Sequence, residues 1–231
     1  MVRSDELEER VRARSHPIVA WVLLAGGAIF FVGGAMHPKE DPPGVSLKEH
    51  LRIMYVDGNW YPGHALLFVG MALMAAALVA VVRSGALSGV RAASVAGVVA
   101  ATTALLGAAA AFLHLIMASE ADRIADGLST PLTNLNLVVE TIVTPAFGLS
   151  IAALAVLGAR TGTFGNRTAA GLAVVGGTAW ALAGATFAFT EALNPLFPLA
   201  GLLGVWAIIT AVSLLRRTRI ADPSPRAMAI R

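Results

Sequence analysis

Residues 92–118 read AASVAGVVAATTALLGAAAAFLHLIMA. The run holds no formal charge, and its one histidine, His114, stands a turn from its end. About 20 apolar residues suffice to carry a helix across a hydrocarbon core of roughly 30 Å. The stretch is therefore read as a membrane span. Five more apolar runs flank it, at about 17–36, 62–82, 132–158, 169–190 and 196–215. They take up nearly the whole 231-residue chain and leave no length for a sizeable soluble domain. Composition agrees, with 57% hydrophobic and 13% charged residues, where soluble domains carry about 25% charge. The expected fold is an all-α polytopic membrane protein. It is a six-transmembrane-helix bundle with a short amphipathic helix in its first outer loop. Residues 1–15 form a cytoplasmic segment, 16–217 the membrane domain and 218–231 a cytoplasmic tail. The first run follows a charged leader, and Val32-Gly33-Gly34-Ala35 could pass as a signal-peptidase site. At about 20 residues the run exceeds the usual signal core, so the first helix is expected to be retained.

Orientation follows from the cations that flank the runs. The N-terminal segment holds Arg3, Arg10, Arg12 and Arg14. Arg83 and Arg91 follow the second run, and Arg160 and Arg167 follow the fourth. Arg216, Arg217, Arg219, Arg226 and Arg231 follow the last. The opposite side holds Lys39, Lys48, Arg52 and Arg123. Both termini are expected in the cytoplasm, with loops 37–60, 119–131 and 191–195 outside. The basic balance (pI 9.9) thus marks membrane topology and not nucleic-acid binding. Abundant Ala and Gly, with Arg well ahead of Lys, point to a bacterial chain in the cytoplasmic (inner) membrane. The absence of cysteine excludes disulfides, thiolate ligands and a Cys nucleophile.

The outer loops carry most of the remaining information. Pro42-Pro43-Gly44 is a turn. Ser46 and Glu49 fit a capping box, and Leu47, Leu51, Met54 and Tyr55 then form one apolar stripe. Residues 46–56 are read as an amphipathic helix that lies on the outer membrane surface or caps the bundle. Trp60 and Tyr61 suit an interfacial aromatic belt. Glycine and alanine mark close helix packing: Gly26, Gly27, Gly33 and Gly34 in the first run, Gly107, Ala110 and Ala111 in the third, and Ala173, Gly177, Ala181 and Gly184 in the fifth. Arg14 and Arg91, Arg83 and Arg160, His37 and His114, and His114 and Glu191 are each 77 residues apart. That spacing is compatible with three related hairpins, or with coincidence.

The candidate site consists of ionisable groups at membrane depth, where charge is expensive and usually functional. His37, His64, His114, Glu140 and Glu191 come from five different runs, all at or near the outer end. Thr133, Asn136, Glu140 and Thr144 form one polar stripe, placed toward the interior, with Pro145 after it. Imidazole is the commonest protein metal ligand. His37, His64, His114, Glu140 and Glu191 are the expected metal set, for zinc, copper or iron. His64 and His114 could instead be axial ligands of haem b. Glu140 is a fourth ligand, a general base, or a group that orients a histidine. His50 could join from the surface helix. The plainer readings are that terminal histidines face water, and that His114 and Glu140 merely pair and hold two helices together. Three function classes follow. One is a metal- or haem-dependent hydrolase or oxidoreductase acting on a lipid-like molecule. The second is an ion-coupled or metal transporter, disfavoured by the apolar inner half of every run. The third is a homo-oligomeric or larger-complex subunit without catalysis.

Overall fold

The computed structural model describes the backbone over residues 4–38, 44–184 and 191–221, and side chains over 17–38, 44–184 and 192–217. The described residues form helices, turns and loops, with no strand. The elements are α1 (Ser4–Met36), α2 (Leu47–Tyr55), α3 (Trp60–Arg83), α4 (Arg91–Met117), α5 (Ala121–Ala125), α6 (Pro131–Thr161), α7 (Arg167–Gly184), α8 (Phe197–Ala200) and α9 (Leu202–Ala221). Short 3-10 turns lead into α5 and α8. Five segments are long and apolar enough to cross a membrane: Pro17–Met36, Trp60–Arg83, Arg91–Ala125, Pro131–Thr161 and Ala192–Arg217. Their outward faces are apolar too. Val95, Leu105, Ile142 and Val175 are each at least half exposed. An apolar exterior on this scale needs a nonaqueous surrounding, and the helices have the build of a multi-pass membrane protein. α7 is described only to Gly184, and residues 185–190 of the expected fifth run lie outside the described residues.

The long helices pack in a circuit. α1 lies on α3, α3 on α4, α4 on α6, α6 on α7, α7 on α9, and α9 returns to α1. Leu23, Phe30, Met74, Leu78, Phe147, Ile151, Leu154 and Trp206 fill the interior. Glycine sets several of the approaches. A Cβ on Gly33 would stand 2.7 Å from the Leu67 nitrogen, and one on Gly27 2.7 Å from the Gly204 carbonyl oxygen. Gly148 and Gly177 oppose each other so closely that a Cβ on either would strike the other's carbonyl. Gly34, read above as part of this packing, meets nothing within 4 Å.

α1 runs unbroken from Ser4 through Pro17, so the charged N-terminal segment continues the helix of the first span. Three local expectations change. The last span does not begin as a regular helix at 196. A 3-10 turn, Glu191–Leu196, and the single turn of α8 precede it, since Pro195 and Pro198 each remove a backbone donor. The capping box of α2 is half formed. Ser46 Oγ accepts from the Glu49 N–H at 3.3 Å, but the Glu49 carboxylate turns to Arg52 at 2.7 Å. That hydrogen bond lowers the Glu49 carboxyl below its usual range and raises the Arg52 guanidinium. Finally, Trp60 is wholly buried while Tyr61 is 53% exposed, so only Tyr61 suits an interfacial belt.

Glu120 has a role with no sequence signal. It is 4% exposed, and its Oε1 and Oε2 accept from the N–H groups of Leu132 (3.1 Å) and Thr133 (2.8 Å). One carboxylate thus satisfies two free donors in the first turn of α6, where Pro131 itself has none, and meets the positive end of its dipole. We expect Glu120→Ala to cost about 2–3 kcal/mol, the scale of hydrogen bonds to a charged group. Thermal unfolding of the detergent-purified protein should move down by about 5 °C. An unchanged midpoint would show that the cap contributes nothing.

Candidate metal site

Each histidine of the site is placed by a different element. His37 directly follows α1, and its Nδ1 lies 2.8 Å from the Pro38 carbonyl oxygen. His64 sits in the second turn of α3, and its Nδ1 lies 2.7 Å from the Trp60 carbonyl oxygen. A carbonyl oxygen only accepts, so Nδ1 carries the proton in both rings and Nε2 keeps its lone pair. His114 lies in the last turn of α4. Its Nδ1 is 2.5 Å from Glu140 Oε1 on α6, and the buried Asn136 side-chain amide lies 3.1 Å from the same nitrogen; an Nδ1–H needs the amide turned so that its otherwise unpartnered Oδ1 accepts there beside the carboxylate. With the Nδ1 proton donated to the carboxylate, Nε2 of His114 is also free.

The three rings converge. One ring nitrogen from each of His37, His64 and His114 lies within 4.8 Å of the other two. Nε2 of His64 and Nε2 of His114 are buried and have no hydrogen-bond partner in the structure. Burying a polar atom unpaired is costly, and orphaned acceptors at one point call for a ligand. The donor set fits a metal ion. Nitrogens at about 2.0–2.1 Å from a tetrahedral zinc stand roughly 3.3 Å apart, so a bound ion would have to draw the three rings closer together. Metal-bound histidines commonly donate their other N–H to a carbonyl or carboxylate, and all three rings here do so. Burial holds the His37 imidazole below the usual histidine range, partly offset by the Pro38 hydrogen bond; the neutral form is the one that ligates.

Trp60 forms the wall. Its ring stacks on His64 at 3.9 Å and on His114 at 5.1 Å, and His64 stacks on His114 at 4.7 Å. The indole N–H donates to the Leu115 carbonyl at 3.3 Å. Above the rings, Leu51 and Tyr55 of α2 join Trp60, Met117 and Ala118 in a small apolar cluster separate from the main core. The Tyr55 hydroxyl lies 3.2 Å from Thr133 Oγ1 and ties α2 to α6, and burial raises its phenol well above the usual range. The stripe of α6 faces inward, as its spacing indicated: Thr133 and Asn136 are wholly buried and Thr144 nearly so.

Of the five expected ligands, His37, His64 and His114 come together, and Glu140 stands behind His114. The Glu191 side chain lies outside the described residues. His50 is half-buried on α2, but the cluster of three does not include it. Trp60 and Tyr55 were not foreseen as site residues. The only sequence signal was that Trp60 precedes His64 by one helical turn. No protein-family model matches the chain, and neither a curated protein nor a solved structure matches it.

Proposed function

We propose that the chain is a six-span protein of a bacterial cytoplasmic membrane. Its termini lie inside, and its outer end binds one divalent metal ion through His37, His64 and His114. The single observation that carries this reading is the convergence of three imidazoles with their Nδ1 protons already engaged. Zinc suits three imidazoles with an open fourth position; copper and non-haem iron accept the same donors. Haem suits the geometry less well. Two axial nitrogens must face each other across the iron, whereas His64 and His114 stack face to face. A bound ion would supply a polarised water or carbonyl.

The chain's own residues do the rest. Glu140 fixes the tautomer and orientation of His114, which favours a positioning role over direct ligation. Trp60 and the α2 cluster exclude bulk water. Apolar faces between the helices give a lipid-like substrate its approach, which makes a membrane hydrolase or oxidoreductase the best reading. Glu191 keeps only the place its sequence position gave it.

Elemental mass spectrometry with an absorption spectrum on the detergent-purified protein tests the metal. About one equivalent of zinc, copper or iron is expected. A colourless, metal-free protein that does not rebind metal would overturn the reading. The histidines would then be a helix-pairing device, and transport or partner association would be tested next.

A further inference from the structure

The opposite end of the fold holds a second candidate site. Arg160 lies in the last turn of α6 and Arg167 opens α7. The chain turns between them through Gly162, whose φ of +69° ends α6. Asn166 caps α7, its Oδ1 accepting from the Ala169 N–H at 2.9 Å. Arg217 does not compete for the groove, because its guanidinium donates to the carbonyls of Gly162 and Gly165 at 2.7 and 2.6 Å. Arg160 and Arg167 line one open groove between α6 and α7, with Val156, Ala159 and Ala170 as its apolar floor. Both arginines are exposed, and neither forms an ion pair among the described residues. From Gly127 to Thr190 the one acidic residue is Glu140, 20 residues from Arg160 and therefore about 30 Å away along α6. No acid of α6 or α7 can neutralise this pair.

We propose that this groove binds an anionic phospholipid of the inner leaflet. Its phosphate lies between the Arg160 and Arg167 guanidiniums, and an acyl chain lies along Val156, Ala159 and Ala170. Guanidinium forks match phosphate oxygens two at a time, and basic pockets between membrane helices on the cytoplasmic side take such headgroups. The alanines leave room for a chain where larger residues would fill the groove. The proposal rests on the membrane reading above but not on the metal site.

The test uses the full-length protein in nanodiscs of equal phosphatidylglycerol and phosphatidylcholine. Lipid that stays bound after extraction is counted by native mass spectrometry. Wild type should retain the anionic lipid over the zwitterionic one by about tenfold or more. R160Q/R167Q should fall to near parity with helix content and monodispersity unchanged. R83Q/R216Q removes the same charge from the same end, outside the groove, and should keep the preference. Equal loss in both double variants would mean a diffuse basic belt and overturn the site, as would no preference in wild type. Displacement by excess inorganic phosphate would assign the groove to a free anion and overturn the lipid commitment. A protein that stays monodisperse without detergent would overturn the membrane reading itself.

Discussion

His64→Ala should lower bound metal from about one ion per chain to below a tenth while leaving helix content intact. His64 is the most buried of the three histidines, at 3% exposure. Its Nδ1 is committed to the Trp60 carbonyl, so only Nε2 can ligate, and alanine removes it. Changing a group that merely orients a ligand typically weakens metal binding 10–100-fold, so loss of a ligand should cost more than a hundredfold. Glu140→Gln should fall in the 10–100-fold range. The amide can still accept from His114 but no longer carries the charge that makes the imidazole a better donor. Metal titration of the apo-protein reads both values.

His114→Ala is the less clean variant, because it leaves the Glu140 carboxylate buried without its partner, a change that destabilises in its own right. His37→Ala avoids this, since His37 pairs only with a backbone carbonyl. If His37→Ala and His64→Ala both kept full occupancy at wild-type affinity, the three-histidine site would be wrong.

Gly148→Ala should be the most damaging small substitution in the helical framework. The α6–α7 crossing puts the Gly148 and Gly177 backbones in direct contact. A methyl group on either can be accommodated only by moving a helix, because the atom it meets is a backbone carbonyl and not the end of a flexible side chain. Overpacking a well-filled interior costs 1–3 kcal/mol where side chains can adjust. Here they cannot, and we expect a loss of about 3 kcal/mol or more. Thermal unfolding in detergent and the monodisperse yield should both show it. Gly34→Ala is the matched control. It faces open space, so it should change stability by less than about 0.5 kcal/mol, or raise it slightly, because alanine is the better helix former. Equal effects at Gly148 and Gly34 would contradict the packing of α6 on α7. Both glycines lie within apolar helical runs, and the difference expected between them comes from the neighbour across the interface.

The apolar runs, the inward stripe Thr133, Asn136, Glu140 and Thr144, and the Ser46 cap of α2 were all legible in the chain. Each depends on residues within a turn or two of one another, and helix periodicity reports which residues share a face. The pairing of His114 with Glu140 was available as the plainer reading of two ionisable groups on adjacent runs. Periodicity does not report which face meets which. That is why Trp60 passed for an interfacial residue and Gly34 for a packing one, and why Glu120, 12 residues before the Leu132 N–H it accepts from, passed for an ordinary loop acid. The convergence of His37, His64 and His114 belongs to the same class. Three helix ends approach one another only because glycines let α1 lie close against α3, and because α4 packs on both α3 and α6. The residue types that can hold a metal are written in the chain; the few ångströms that make them one site arise from helix packing.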